Sequence, residues 1–82
     1  PSMLTPDEIA EINLLCQFNL GNSQEGLKIH SHEADPATVA ASERLFAKGL
    51  TTQPDGGYLT SLGLDAAEHA QTLLTILRTP RS

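Results

Sequence analysis

Two basic side chains at helical spacing carry the clearest chemical signal in the sequence. Arg44 and Lys48 are four residues apart, so at about 100° per residue they share one helix face with small side chains. Small side chains let a helix approach a DNA groove closely, while cations contact phosphate or guanine. The candidate nucleic-acid-binding residues are Ala37, Thr38, Ala41, Arg44 and Lys48. Val39, Phe46 and Leu50 lie on the opposite side with Leu45 beside them, and this face is predicted to be buried. An ordinary solvent-exposed helix face has the same pattern.

Two histidines lie two residues apart in the least regular stretch of the chain, residues 21–35. On a strand His30 and His32 would project from the same side, with Glu33 and Asp35 nearby as oxygen ligands for a divalent ion. The pair lacks a structural-zinc spacing, because no cysteine accompanies it. We therefore expect solvent-exposed loop histidines, no metal site and no other cofactor.

The other reactive side chains do not form a catalytic pattern. Cys16 lies among apolar positions of the first predicted helix, and no cation or histidine nearby in the sequence would lower its pKa. The acidic residues of 7–11 lie in the first turns of that helix, where the helix dipole favours negative charge. Gly56 and Gly57 are not followed by the lysine of a phosphate-binding loop. We expect no enzymatic activity.

Length and composition limit the structure that can position these side chains. The chain has 82 residues, of which 39% are hydrophobic and 4% aromatic, and its single cysteine cannot form an internal disulfide. A chain this short buries only about 60% of the surface that it exposes when unfolded. Regular helices or a second copy must therefore supply stability. The net charge of −5 argues against a surface that coats nucleic acid broadly.

Start and stop signals predict three helices. The segment TPDE at residues 5–8 is a capping box with proline at the first helical position, and it begins a helix at about residues 6–20. Asp35-Pro36 repeats the combination of cap and proline before a helix at about 36–48. The third helix, at about 61–78, ends before a proline.

A short β-hairpin is predicted between the second and third helices. The segment PDGG places proline at a favoured turn position, followed by residues that tolerate positive φ, so a hairpin is expected at about 51–60. Residues 26–30 form at most a short strand. We expect residues 1–82 to form one domain that is mainly α with a small β-hairpin.

The segment RLFAKGLTTQPDGGYLTSLGLDAAEHA resembles the recognition helix, wing and following helix of bacterial winged helix-turn-helix regulators. In those proteins a Leu-x-x-x-Gly-Leu pattern ends the recognition helix, and a Leu-Thr-x-x-Gly pattern begins the next. The resemblance covers about a third of the chain and implies a winged-helix-like single domain. The matching residues are Leu45, Gly49, Leu50, Leu59, Thr60 and Gly63.

The whole chain also resembles a family of small bacterial proteins of about 80 residues. The segments INLLCQFNL, SQEGLKIH and QPDGGYLTSLGLDAAEHAQTLLTIL carry this resemblance. That family is essentially uncharacterised, and a DNA-binding label sometimes attached to it rests on fold analogy. The sequence has no apolar run near the ~18 residues of a membrane span and no signal-peptide pattern, so we expect a cytoplasmic protein without a membrane partner.

The first and last helices carry more apolar surface than the rest of the chain can cover. The first has two apolar sides, and the apolar arc of the last covers about half of its circumference. We therefore expect a homodimer, and we place His69, at the edge of that arc, in a partly buried or interfacial position. The candidate dimer-interface residues are Leu14, Phe18, Ala67, Leu73, Leu74 and Leu77.

Two functions from different classes stay open. The first is a DNA-binding, transcription-associated module, in which the helix at about 36–48 enters the major groove and dimerisation sets the half-site spacing. The alternative is a protein-interaction or homodimerisation module without nucleic-acid contact. The acidic composition favours the alternative, and so does the hairpin turn, which carries Asp55 and no cation.

Overall fold

A computed structural model of the chain describes residues 3–22 and 24–80. The three strands form one antiparallel sheet in the order β1-β3-β2. Three helices and this small sheet make a mainly α, winged-helix-like single domain, which confirms the predicted fold class. The elements are α1 Pro6–Leu15, β1 Leu27–Lys28, α2 Pro36–Ala47, β2 Thr51–Gln53, β3 Gly56–Leu59 and α3 Ser61–Arg78.

Side-chain caps fix the first residues of α1 and α3. The Thr5 hydroxyl accepts from the Glu8 N–H at 3.1 Å, and the Glu8 carboxylate accepts from the Thr5 N–H at 2.9 Å, which forms the predicted capping box. The Thr60 hydroxyl accepts from the Gly63 N–H at 3.0 Å and donates to the Gly49 carbonyl at 2.6 Å. Thr60 therefore links the end of α2 to the start of α3.

Helix α1 ends at Leu15, several residues before the end predicted near residue 20. After Leu15 the chain turns, and Phe18 enters the core with 6% of its surface exposed. Nε2 of Gln71, on α3, donates to the Leu15 carbonyl at 3.1 Å and to the Phe18 carbonyl at 2.8 Å. A distant side chain therefore satisfies carbonyls that the helix end would otherwise leave without a partner.

The core lies where the three helices and the sheet meet. Leu14 and Leu45 are its largest fully buried side chains, and Ala41 and Ala67 have no exposed surface. A Cβ on Gly63 would lie 1.9 Å from the Leu50 carbonyl oxygen, so the first turn of α3 packs directly on the backbone that follows α2. Small residues thus bring the helices close together. Leu15 and Ile29 complete the buried core cluster.

The predicted strand and hairpin join into one sheet. Strand β1 has two residues, Leu27 and Lys28, and pairs with Gly57 and Gly56 of β3. Gly56 has φ +119°, and a Cβ there would lie 2.3 Å from the Leu27 carbonyl oxygen, so the position requires glycine. The hairpin turn is thereby held against β1.

The connection from β1 to α2 contains one helix-like turn. The N–H groups of Glu33 and Ala34 both donate to the His30 carbonyl, at 2.9 and 2.8 Å. A winged helix-turn-helix module ordinarily has a whole helix before its recognition helix, and in the described residues this turn occupies that place.

Candidate functional site

The five predicted nucleic-acid-binding residues do not form one exposed face of α2. Ala41 is fully buried, whereas Ala37 is exposed and Thr38 is half-buried. The buried residues of α2 are Ala41, Ser42 and Leu45. Phe46, which was expected to be buried, is 42% exposed. The predicted assignment of faces on α2 is right for Leu45, which is buried, and for Val39 and Leu50, which pack against the core. It is wrong for Phe46 and Ala41, because the core accepts the small Ala41 at the point of close packing.

The two cations of that predicted face bind a carboxylate of the same chain. Nε of Arg44 donates to Oε2 of Glu11 at 2.8 Å, and Nζ of Lys48 donates to Oε1 of the same carboxylate. Nη2 of Arg44 also lies 3.8 Å from Oδ1 of Asp7. We call these four residues the Glu11 cluster. It contains two acidic and two basic side chains, so its formal charge is balanced.

Electrostatics keep the Glu11 cluster ionised. Burial raises the pKa of Glu11, but the hydrogen bonds and charges of Lys48 and Arg44 outweigh burial and hold that pKa below its ordinary value. The hydrogen bond to Glu11 raises the pKa of Arg44. The Glu11 side chain is only 10% exposed, so a DNA phosphate that bound Arg44 would compete with a nearby, almost buried carboxylate.

The hairpin turn contains a further pair of opposite charges. Lys28, on β1, donates to the Asp55 carboxylate in the turn. This hydrogen bond lowers the pKa of Asp55, with a further contribution from the Lys28 charge. Three of the four basic side chains in residues 3–22 and 24–80 therefore take part in ion pairs, and Arg78 lies in the last turn of α3.

The histidine pair lies on an open groove beside this turn. His30 and His32 are both exposed and line the groove with Ser42 and Asp55. Within the part of the chain that the structure describes, no group of three His, Cys, Asp or Glu side chains is placed to hold a metal ion. Cys16 is a half-buried free thiol.

An exposed apolar stripe runs along α3. Leu62, Leu73 and Ile76 are 56%, 55% and 65% exposed. Together with Ala66 and His69 they recur at spacings of four, three, four and three residues, which is the spacing of a helix-packing seam. The α3 stripe is defined as Leu62, Ala66, His69, Leu73 and Ile76. Leu77, beside it, is 68% exposed.

His69 is the polar member of the α3 stripe. Its Nδ1 lies 2.7 Å from the Asp65 carbonyl oxygen, one turn earlier in the helix. This hydrogen bond, followed by the charges of Asp65 and Glu68, raises the pKa of His69. The ring is exposed and lines an open groove with Thr72 and Leu73, so it is not partly buried within the single chain, and an interfacial position stays a prediction.

Three of the six predicted dimer-interface residues are buried inside the single chain. Leu14, Phe18 and Ala67 are 2%, 6% and 0% exposed, so a partner could not contact them at the surface. Helix α1 contacts both α2 and α3, while Ile9, on its other apolar side, is 46% exposed. The prediction is corrected for these three residues. Of the other three, Leu73 and Leu77 are exposed and Leu74 is half-buried.

The comparison with known protein families assigns the chain to a family. A family model matches residues 2–78, from before α1 to the last residue of α3. The chain belongs to DUF5669, a family of unknown function. No curated protein and no solved structure matches it.

The DUF5669 match includes both the Glu11 cluster and the α3 stripe. Sequence reasoning missed Glu11 as the partner of Arg44 and Lys48, and it did not include Leu62 or Ile76 among the interface candidates. The four-three spacing was the available signal for those two residues. Within the described residues, none of the helices combines the length and apolar character needed to cross a bilayer.

Proposed function

We propose that this protein is a non-enzymatic interaction module that forms a homodimer through the α3 stripe. The observation that carries the proposal is the exposure of Leu62, Leu73 and Ile76 along one side of an 18-residue helix. Exposed apolar side chains grouped on one side of a helix are typical of protein-interaction sites. His69 is the one titratable side chain of the stripe, which contains no carboxylate or amine, so its burial would desolvate few polar groups.

The total surface area supports a missing partner. The chain exposes 5896 Å², whereas a folded monomer of 8.8 kDa is expected to expose roughly 4,800 Å². The excess, roughly 1,100 Å², is larger than the ~800 Å² that each partner buries in a standard interface. The radius of gyration, 13.0 Å, is likewise larger than the ~12 Å expected for a domain of this length.

DNA binding through α2 is the second candidate function. The winged-helix-like order of elements and the exposed Ala37 favour it. The Glu11 cluster and the pair of Lys28 with Asp55 weigh against it, because they neutralise the cations that would contact phosphates. Low-salt titration with random duplex DNA distinguishes the two functions. Binding by the wild type, lost in the Arg44→Ala, Lys48→Ala double variant, would favour DNA.

Sedimentation velocity across a concentration series tests the homodimer. We expect the wild type to sediment with about twice the 8.8 kDa mass of one chain at high concentration. Leu73→Lys should sediment as a monomer, because it places a charge in the stripe of each copy. Leu64→Lys is the matched control, since Leu64 is an exposed leucine of the same helix outside the stripe. A wild type that stays monomeric at every concentration would overturn the proposal.

A further inference from the structure

We propose that two copies pair antiparallel along α3, about a two-fold axis that passes between His69 and Leu73, so that Ala66 lies opposite the partner's Ile76. This pairing rests on the proposed function, because it requires a dimer on the α3 stripe. It adds the relative direction of the two helices and their register.

The spacing of the α3 stripe is the spacing that packs against another helix. Five positions at alternating intervals of four and three residues have an average period of 3.5, at which side chains of two facing helices interlock. Helix α3 has 18 residues and is therefore about 27 Å long. A second copy of the same helix offers the same spacing, and in this register the four stripe positions from Ala66 to Ile76 meet those of the partner.

The unequal packing of α3 along its length favours the antiparallel direction. Its first half is anchored, because Gly63 and Ala67 are buried against the rest of the chain. Its last turn projects, and every residue from Thr75 to Arg78 is exposed. In an antiparallel pair each projecting last turn lies alongside the partner's anchored first half. In a parallel pair both folded bodies would meet at one end, and the projecting last turns would cover only each other.

Side-chain size along the α3 stripe agrees with the same direction. The antiparallel register places the small Ala66 against the larger Ile76 of the partner subunit, and alternating small and large side chains fill a layer. A parallel register would place Ala66 against its own copy and leave a gap.

His69 distinguishes the two directions electrostatically. In a parallel pair its ring would lie against the partner's His69, and protonation would place two like charges together. In the antiparallel pair it lies against the partner's Leu73 and keeps its hydrogen bond to the Asp65 carbonyl of its own helix. Antiparallel helices also oppose their dipoles, which is the favourable arrangement.

Disulfide trapping tests the direction and the register. The native thiol is first removed by Cys16→Ser, and the variants Ala66→Cys and Ile76→Cys are then oxidised separately and as an equal mixture. The antiparallel register predicts a cross-linked heterodimer in the mixture, about tenfold more abundant than either homodimer, because only that pair brings the Cβ atoms within disulfide reach. Homodimers of Ile76→Cys as the main product would establish a parallel pair and overturn the inference.

A distance measurement keeps the inference testable if a cysteine pair disturbs packing. Spin labels at Ser61→Cys should lie roughly 30 Å apart or more in the antiparallel register, since each label is ten residues from the axis at 1.5 Å per residue. A separation near 10 Å, the spacing of packed helices, would contradict the register. In either experiment a dimer with another geometry refutes only this pairing, whereas a monomer in sedimentation refutes the proposed function as well.

Discussion

Glu11 is the side chain through which α1 neutralises the cations of α2. Its two oxygens accept from Arg44 and Lys48, which lie 33 and 37 positions later in the chain. No local pattern predicts a contact over such separations. The sequence does place Glu11 at helical spacing from Leu14 and Leu15, both buried, and a carboxylate at such a position needs a cationic partner.

Removal of this charge should destabilise the fold. We expect Glu11→Gln to lower the free energy of unfolding by about 1–2 kcal/mol, because it weakens two charge-assisted hydrogen bonds while the partly exposed Arg44 and Lys48 can regain water. Urea denaturation followed by circular dichroism measures the change. Glu43→Gln is the control, since Glu43 is an exposed residue of α2 outside the cluster. Equal stability of the two variants would contradict this role of Glu11.

The contribution of Glu11 should also depend on pH in a defined direction. Its pKa in the folded chain lies below the ordinary value of 4.5, so its ionised form stabilises the fold above that value. The contribution is lost as the pH falls through the lower, folded pKa. The stability difference between wild type and Glu11→Gln should therefore be complete at neutral pH and shrink in acid. Denaturation curves at a series of pH values measure it, and a constant difference would refute the linkage.

At the level of the elements, the starts of all three helices and the ends of α2 and α3 were predictable, but the end of α1 was not. The capping box at Thr5 and the turn before Gly56 depend on neighbouring residues, and the sequence located both. The end of α1 depends on Gln71, which lies more than fifty positions away. On α2, periodicity placed Leu45 in the core but misassigned Ala41 and Phe46, because the choice between them follows from how closely Ala41 can pack.

The contact of Gln71 with the end of α1 should contribute measurably to stability. Gln71→Leu leaves the carbonyls of Leu15 and Phe18 without their donor, and we expect a loss of about 1–3 kcal/mol in the free energy of unfolding. Chemical denaturation measures the loss. Gln17→Leu makes the same chemical change at an exposed residue and should have little effect. If both variants unfolded alike, Gln71 would not be the cap of α1.

For the whole molecule, the small core means that the free energy of unfolding should depend on association with a second chain. Three helices and a sheet share a core with few large apolar side chains; among the described residues the buried ones are Leu14, Leu15, Phe18, Ile29 and Leu45. In a domain of this size without a disulfide, a single hydrophobic core supplies only a small free energy of unfolding. An interface on the α3 stripe would add to the folded state the apolar burial that a single chain lacks.

Thermal unfolding should therefore depend on protein concentration. A dimer that dissociates as it unfolds is stabilised by mass action, so we expect the midpoint temperature of the wild type to rise with each increase in concentration. Leu73→Lys should unfold at a lower temperature that is independent of concentration, whereas Leu64→Lys should keep the dependence. Calorimetry across the same dilution series measures all three. A wild-type midpoint that does not change with concentration would mean that one chain is stable alone, and the excess exposed surface would then need a partner of another kind.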